Sequence, residues 1–325
     1  MKKTIIGIDV SSKTLDLCLL NDKQVSYSTI ENKVKTIIKY LSQYDDTNTI
    51  VTMENTGRYN WYIYEALEHF SFEVYVISPL HLSKSLGLVR GKNDQIDALR
   101  ICQFTQKNKG DLTVWKATPK SIQCLKVLVS ERNSRVKIKK QLLAKQNDYK
   151  LMKNIGLDKE LLRLNKQQIK TLELQIKKIE SSIEDIIKAD HKLKKQQELI
   201  MSIPGVGKVL SWMTIIKTEG FSKFTDPRKF ACFAGVVPFE HRSGTSVFRK
   251  PKVSRFADKQ LKSILHLAAM SAIRFENDLR KYYIKKVEEG KNKMSVLNVI
   301  RNKIIHRMFA VIKNQTVYKN NLVLS

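Results

Sequence analysis

The chain has 325 residues, 42% of them hydrophobic, enough to bury two or three cores and too apolar for a disordered basic tail. Lys and Arg number 59 against 31 Asp and Glu, a formal net charge of +28, which points to a polyanionic partner, most often nucleic acid. No apolar run nears the roughly 20 residues that a membrane-spanning helix needs. Cys18, Cys102, Cys124 and Cys232 are too scattered for a zinc site or a disulfide framework, and read as buried free thiols.

The first segment opens MKKTIIGIDV, basic then apolar, with Asp9 cutting the run before a secretory core forms. It predicts the first strand of a cytoplasmic protein. Residues 4–10, 14–20 and 24–30 read as three short strands, followed by a helix over 32–44, a strand at 49–55, an amphipathic helix at 58–70 and a strand at 72–78. Helical pattern resumes at 79–86 and again over 94–107. This predicts an α/β domain with a mixed sheet over residues 1–110.

Residues 121–150 and 158–200 contain almost no Gly or Pro. Ile169, Leu172, Ile176, Ile179, Ile183 and Ile186 are spaced 3, 4, 3, 4, 3, a heptad seam; Ile122, Leu125, Val129, Val136 and Leu143 form a weaker one. With Asn154-Ile155-Gly156 between them, the two stretches predict a long antiparallel coiled-coil hairpin within residues 111–198. A mainly α domain follows at 199–325. It opens with Ile203-Pro204-Gly205-Val206-Gly207 between two apolar helical runs, a pattern like a helix-hairpin-helix, whose turn amides commonly meet phosphate. It is not a P-loop, because positions 202 and 209 are Ser and Val.

Charge divides along the same lines. Residues 1–110 carry 14 basic and 12 acidic side chains, residues 111–200 carry 21 and 11, and residues 201–325 carry 24 and 8. The acids are thus concentrated where the strands are. Asp9 and Glu54 each stand at the end of an apolar strand, and Asp94 and Asp97 share one face of a helix start. Four carboxylates so placed suit hard divalent cations, and two such ions serve phosphoryl transfer. Each has a plain alternative: an Asx turn with Ser11 and Ser12 for Asp9, a pair with Arg58 for Glu54, the helix dipole for Asp94.

The stretch 235–257, GVVPFEHRSGTSVFRKPKVSRFA, offers Ser243 amid Arg242, Arg249, Lys250, Lys252 and Arg255. A serine hydroxyl attacks phosphorus only if its proton is removed or its alkoxide stabilised. Taken alone, the segment reads first as a polar turn whose basic residues grip a nucleic-acid backbone. Arg90 and Lys92, just before Asp94, read as a second grip on phosphate.

In order along the chain, GIDVSSKTLDL, MENTGRY, RGKNDQIDALRI, IPGVG and PFEHRSG resemble the DEDD transposases of bacterial insertion sequences, a group that includes the Piv-type DNA invertases. The resemblance covers nearly the whole chain. It implies a RuvC-like (RNase H fold) domain joined through a coiled coil to a serine-bearing transposase domain. It places Asp9, Glu54, Asp94 and Asp97 at the family's metal-binding set, with Mg²⁺, two ions, as cofactor. It places Ser243 at the serine that attacks DNA to form a phosphoserine link, with Ser246 as a rival register. It further implies donor and target DNA as substrates, a structured noncoding guide RNA, a dimer or tetramer with a composite site, and action on the bacterial nucleoid. The alternatives are a RuvC-like metal-dependent nuclease or an invertase that uses no guide RNA. Pro251 and Ala257 stand where the family more often has glycine.

Overall fold

The structure, a computed structural model, describes residues 4–21, 24–85, 93–152, 156–243 and 247–320, with the side chains of 240–250 outside the description. Contacts divide the chain into two units, Met1–Ala117 and Thr118–Ser325.

In the first unit, β1 (Thr4–Val10), β2 (Thr14–Asn21) and β3 (Gln24–Glu31) form an antiparallel meander. β4 (Thr49–Glu54) and β5 (Glu73–Ile77) run parallel to β1, so the sheet order is β3-β2-β1-β4-β5. A mixed five-stranded sheet in that order, with helices on both faces, is the RNase H-like arrangement. Period-two alternation assigns the faces. Ile6, Ile8, Val10, Val51 and Met53 pack with α1 (Val34–Leu41) and α2 (Trp61–Leu67). Ile5, Cys18, Leu20, Ile50 and Tyr75 turn the other way, onto α4 (Asp94–Asn108), which follows the short α3 (Pro79–Ser85).

Helix α4 lies so close to β1 that a Cβ on Gly7 would stand 2.4 Å from the Ala98 carbonyl oxygen and 2.5 Å from Cys102 Sγ. The first atom is backbone, and Cys102 Sγ is buried and donates toward the carbonyls of Ile5 and Cys18. We expect Gly7→Ala to cost about 3 kcal/mol, at the upper end of the range for overpacking, read as a lowered unfolding midpoint of the first unit in urea. On the same helix, Thr105 shares a buried hydroxyl hydrogen bond of 2.7 Å with Thr52 of β4.

In the second unit, α5 (Lys120–Leu151) and α6 (Asp158–Ala189) pair antiparallel, as the partners show: Arg132 with Glu180, Arg135 with Gln175, Lys139 with Glu173. The α6 seam residues are buried or half-buried. On α5, Leu143 is 42% exposed, while Leu142 is half-buried and its backbone carbonyl accepts from Asn165 Nδ2 of α6 at 2.9 Å. The helical pattern over 158–200 does not run through: Asp190 takes an extended backbone and caps α7 (His191–Met201) by accepting from the amides of Lys192 and Leu193. Aspartate favours such a cap over the helix interior because its carboxylate satisfies amides left without a partner.

The hairpin base shares one core with the C-terminal helices α8 (Lys208–Thr218), α9 (Pro227–Phe233), α10 (Lys259–Ala272), α11 (Asp278–Glu288) and α12 (Lys293–Asn314). Buried Trp212 ties them, donating to Glu184 Oε1 at 2.9 Å beneath the Arg132 guanidinium. The α7–α8 turn carries Gly205 at φ +81, where a Cβ would meet the Ala268 carbonyl oxygen at 2.3 Å. Cys18 and Cys102 are buried as expected, but Cys124 is exposed on α5.

Candidate metal centre and serine hairpin

The same alternation that buries Ile6 and Ile8 turns Gly7 and Asp9 toward α4. In β4, Thr52 and Glu54 face that way too, while Val51 and Met53 face α1 and α2. The β1–β4 register pairs Ile8 with Met53, so the next step brings Asp9 beside Glu54 at the ends of two parallel strands. On α4, Asp94, Asp97, Ala98, Ile101, Cys102 and Thr105 follow helical spacing along the sheet-facing side. The residues of α4 that anchor it to the sheet therefore continue, one turn earlier, into its two aspartates.

Local chemistry holds each carboxylate in place. Asn93 caps α4 and accepts from Gln95 N at 3.0 Å, so the helix starts with Asp94. Buried Asn60 donates to the Glu54 carbonyl at 2.9 Å and accepts from the Thr56 amide at 2.7 Å, fixing the loop after β4. Buried Asn32 donates to the carbonyls of Ser11 and Tyr59, tying the turn after Asp9 to the same loop. The Asx turn open to Asp9 and the Glu54–Arg58 pair do not form: Ser11 N bonds to Thr14 O, and Arg58 lies over the Tyr59 ring and donates to its hydroxyl.

Burial, and then the charges of Asp94, Asp97, Glu54 and Asp16, push the Asp9 carboxyl up to about 6. Burial, and then Asp97, raises Glu54. These shifts record carboxylates crowded in a partly dry place with too little positive charge. Arg100 Nη1 meets Asp97 Oδ1 at 2.6 Å and is the cation at hand. Among the described residues no three His, Cys, Asp or Glu side chains stand as close as the ligands of one ion. One of the carboxylates, Asp97, is engaged by Arg100. An all-oxygen donor set with raised carboxyls fits a hard divalent cation, which would relieve the repulsion as the side chains draw in.

Asp16 is a fifth carboxylate that the motif reading did not single out. It pairs with Asp9 across β1 and β2, turns to the same face as Cys18 and Leu20, and accepts from Thr29 Oγ1 at 2.6 Å. Its alternation with buried Leu15 and Leu17 was the available signal.

Ser243 ends β6 (Phe239–Ser243), which pairs antiparallel with β7 (Val247–Lys252): His241 with Arg249, Arg242 with Phe248, Ser243 with Val247. The register slips between Phe239 and His241, opposite Pro251, which has no amide proton to give the ladder. Ala257 is accommodated by Gly235, at φ +67, where an added Cβ would stand 2.5 Å from the Ala257 Cβ. Lys252 and Arg255 are exposed. The side chains of Arg242, Ser243, Arg249 and Lys250 lie outside the description, as do residues 86–92 with Arg90 and Lys92, and residues 244–246 with Ser246. Among the described residues no helix is long and apolar enough to cross a membrane.

Comparison with known proteins finds two family models on the chain. A transposase model of the DEDD IS110 type matches residues 6–147, and the model described as Transposase IS116/IS110/IS902 family matches residues 197–284. The chain is 25% identical over 336 residues to a pilin gene-inverting protein of Moraxella lacunata, covering 99% of both chains. It is 24% identical over 335 residues to the protein of that name from Moraxella bovis, again covering 99% of both. Thermus thermophilus RuvC, solved with a Holliday junction substrate, aligns with a TM-score of 0.26 and 12% identity over 35% of this chain and 99% of that one. Both transposase models lie in order on one chain, and its strand ends carry the carboxylates: the chain belongs to the IS110/IS116 transposase family of DNA recombinases, alongside the pilin gene-inverting proteins.

Proposed function

We propose that this chain is the transposase of a bacterial insertion sequence and that it cuts and rejoins DNA through a serine ester. The convergence of Asp9, Glu54, Asp94 and Asp97 on the α4 face of the sheet supports this reading most directly. Asp9, Glu54, Asp94 and Asp97 would hold Mg²⁺, two ions, which supply positive charge to the oxygens of the scissile phosphate. Ser243 Oγ attacks phosphorus, loses its proton, and displaces one deoxyribose oxygen, which leaves as a hydroxyl. The energy of the broken phosphodiester is kept in the serine ester, so a second DNA hydroxyl can displace the serine without ATP. Lys252 and Arg255, with Arg242, Arg249 and Lys250, grip the flanking backbone, and Arg90 and Lys92 grip it near the carboxylates. The protein acts as a homo-oligomer, dimer or tetramer, on donor and target DNA in the cytoplasm, guided by a structured noncoding RNA.

A second reading, inversion of a DNA segment without a guide, is favoured by the similarity to the pilin gene-inverting proteins along the full length of both chains. Purification from its native host separates the two. The guided reading expects a discrete RNA to copurify, and RNase treatment to abolish joining of donor to target in Mg²⁺. Joining that survives RNase, on a substrate whose ends lie on one molecule, would establish the inversion reading instead.

A further inference from the structure

One groove in the second unit has no part in the chemistry above. Its walls are the middle of α5, the α7–α8 turn with the first turn of α8, and the exposed side of α10, and it encloses about 590 Å³. Arg132, Lys137, Lys140 and Lys208 line it, and no Asp or Glu does. Arg132 and Lys208 have partners outside the lining, Glu180 at 2.6 Å and Glu184 at 3.4 Å. Lys137 and Lys140 are exposed, and among the described residues neither has a carboxylate partner. A neighbouring groove shows the contrast. There an acid is part of the lining itself, Glu219, which pairs with Lys126 at 2.8 Å. The floor of the basic groove is apolar, with Leu267 65% exposed beside Ile264 and Val209.

Two features of the backbone shape this groove. Gly205 lets the α7–α8 turn press directly on α10, as the 2.3 Å approach of its virtual Cβ to Ala268 O requires. Helix α8 then starts at Lys208, and its N-cap, Gly207, carries no side chain. The result is a trough with cations along its rim and apolar side chains along its floor. That complements a sugar–phosphate strand, whose phosphates seek cations and whose sugar faces tolerate apolar contact. A protein segment of matching acidity would leave its charges over the same rim, but in a chain of net +28 the polyanion that the whole surface attracts is nucleic acid.

We infer that the groove between α5, the α7–α8 turn and α10 is a second nucleic-acid-binding surface, seating one sugar–phosphate strand on Lys137, Lys140 and Lys208, residues that belong to neither the carboxylate set nor the serine hairpin. The surface binds in the absence of divalent metal and independently of strand cleavage.

The test uses the full-length chain in EDTA with labelled duplex DNA and, in a second arm, single-stranded RNA. Anisotropy titrations at several salt concentrations compare wild type, the triple variant Lys137→Gln, Lys140→Gln, Lys208→Gln, and a control of equal charge, Lys281→Gln, Lys285→Gln, Lys291→Gln. The control sites are exposed on and just after α11. Loss of the groove lysines is expected to lower the slope of log K against log salt by about 2 to 3 for duplex DNA, and slightly less for RNA, with the control near wild type. Lysine acetylation read by mass spectrometry should show Lys137, Lys140 and Lys208 at least about 5-fold less reactive with the seated nucleic acid. The arm with the larger change names the resident strand. Equal slopes in both triple variants, or unprotected groove lysines on a complex that does form, overturn the inference. So does the absence of binding in both arms. Loss of strand joining with binding intact bears on the recombinase reading alone.

Discussion

Asp9→Asn is expected to abolish strand cleavage and joining, by at least about 10³-fold, while making the metal-free protein more stable. Both effects come from one cause. Asp9 is held among Asp94, Asp97, Glu54 and Asp16 with its carboxyl raised to about 6 by burial first and by those charges second. The folded chain therefore binds this proton more tightly than the unfolded chain, whose carboxyl titrates near 3.8. Stability from this group is fully present below pH 3.8 and is lost as pH rises through about 6, leaving the penalty in force at neutral pH. Asparagine removes the penalty. Because solvent screens the group, the expected gain is on the order of 1 kcal/mol at pH 7.5. Urea melts in EDTA at pH 4 and pH 7.5 read it: the variant should gain over wild type at the higher pH only. Mg²⁺ or Mn²⁺ should raise the wild-type midpoint and leave that of Asp9→Asn nearly unmoved, since a ligand stabilises only the state that binds it. A variant that loses activity but still gains midpoint from metal to the wild-type extent would remove Asp9 from the ligand set.

Ser243→Ala is expected to eliminate the covalent protein–DNA adduct and to reduce joining by at least about 10³-fold, as loss of a nucleophile does. Denaturing gels of labelled DNA after incubation in Mg²⁺ should show a retarded, protease-sensitive band with wild type and with Ser246→Ala, and none with Ser243→Ala. A band that vanishes in Ser246→Ala instead would move the nucleophile three residues along. Free 3′-hydroxyl and 5′-phosphate ends with no adduct in any variant would favour a nuclease in which the carboxylates activate water. Binding of DNA in EDTA should be unaffected by either substitution, which separates the chemical step from binding.

Much of the first unit was legible in sequence because its strands are short and their alternation is local. The strand at 4–10 has the bounds of β1, and the helix over 94–107 extends by one residue in α4. The helix over 58–70 shrank to Trp61–Leu67, with a 3-10 turn at Gly57–Asn60. Gly57 takes φ +75 there, and Asn60 spends its side chain on the backbone of Glu54 and Thr56. In the helical hairpin the heptad spacing of α6 was readable, but Asp190 ended the helix early, since a cap competes with helix propensity only once a following turn offers amides to it. Leu143 falls on the seam by spacing alone, yet it is 42% exposed once α5 pairs with α6.

What the sequence determined by itself are quantities set by near neighbours and totals: element periods, the two strand-end carboxylates, the Asp94–Asp97 spacing, and an excess of +28 in charge. What only the tertiary structure decided are meetings between residues far apart in the chain. Asp9 stands among Asp94, Asp97 and the overlooked Asp16 because Gly7 lets α4 settle on β1 and because β2 pairs in a register that sets Asp16 opposite Asp9. The lysine-rimmed groove exists because Gly205 lets a turn press on α10. A missing Cβ is visible in any sequence. Which helix comes to rest on it is a matter of packing, and packing is what brings the carboxylates of this chain to one face of the sheet.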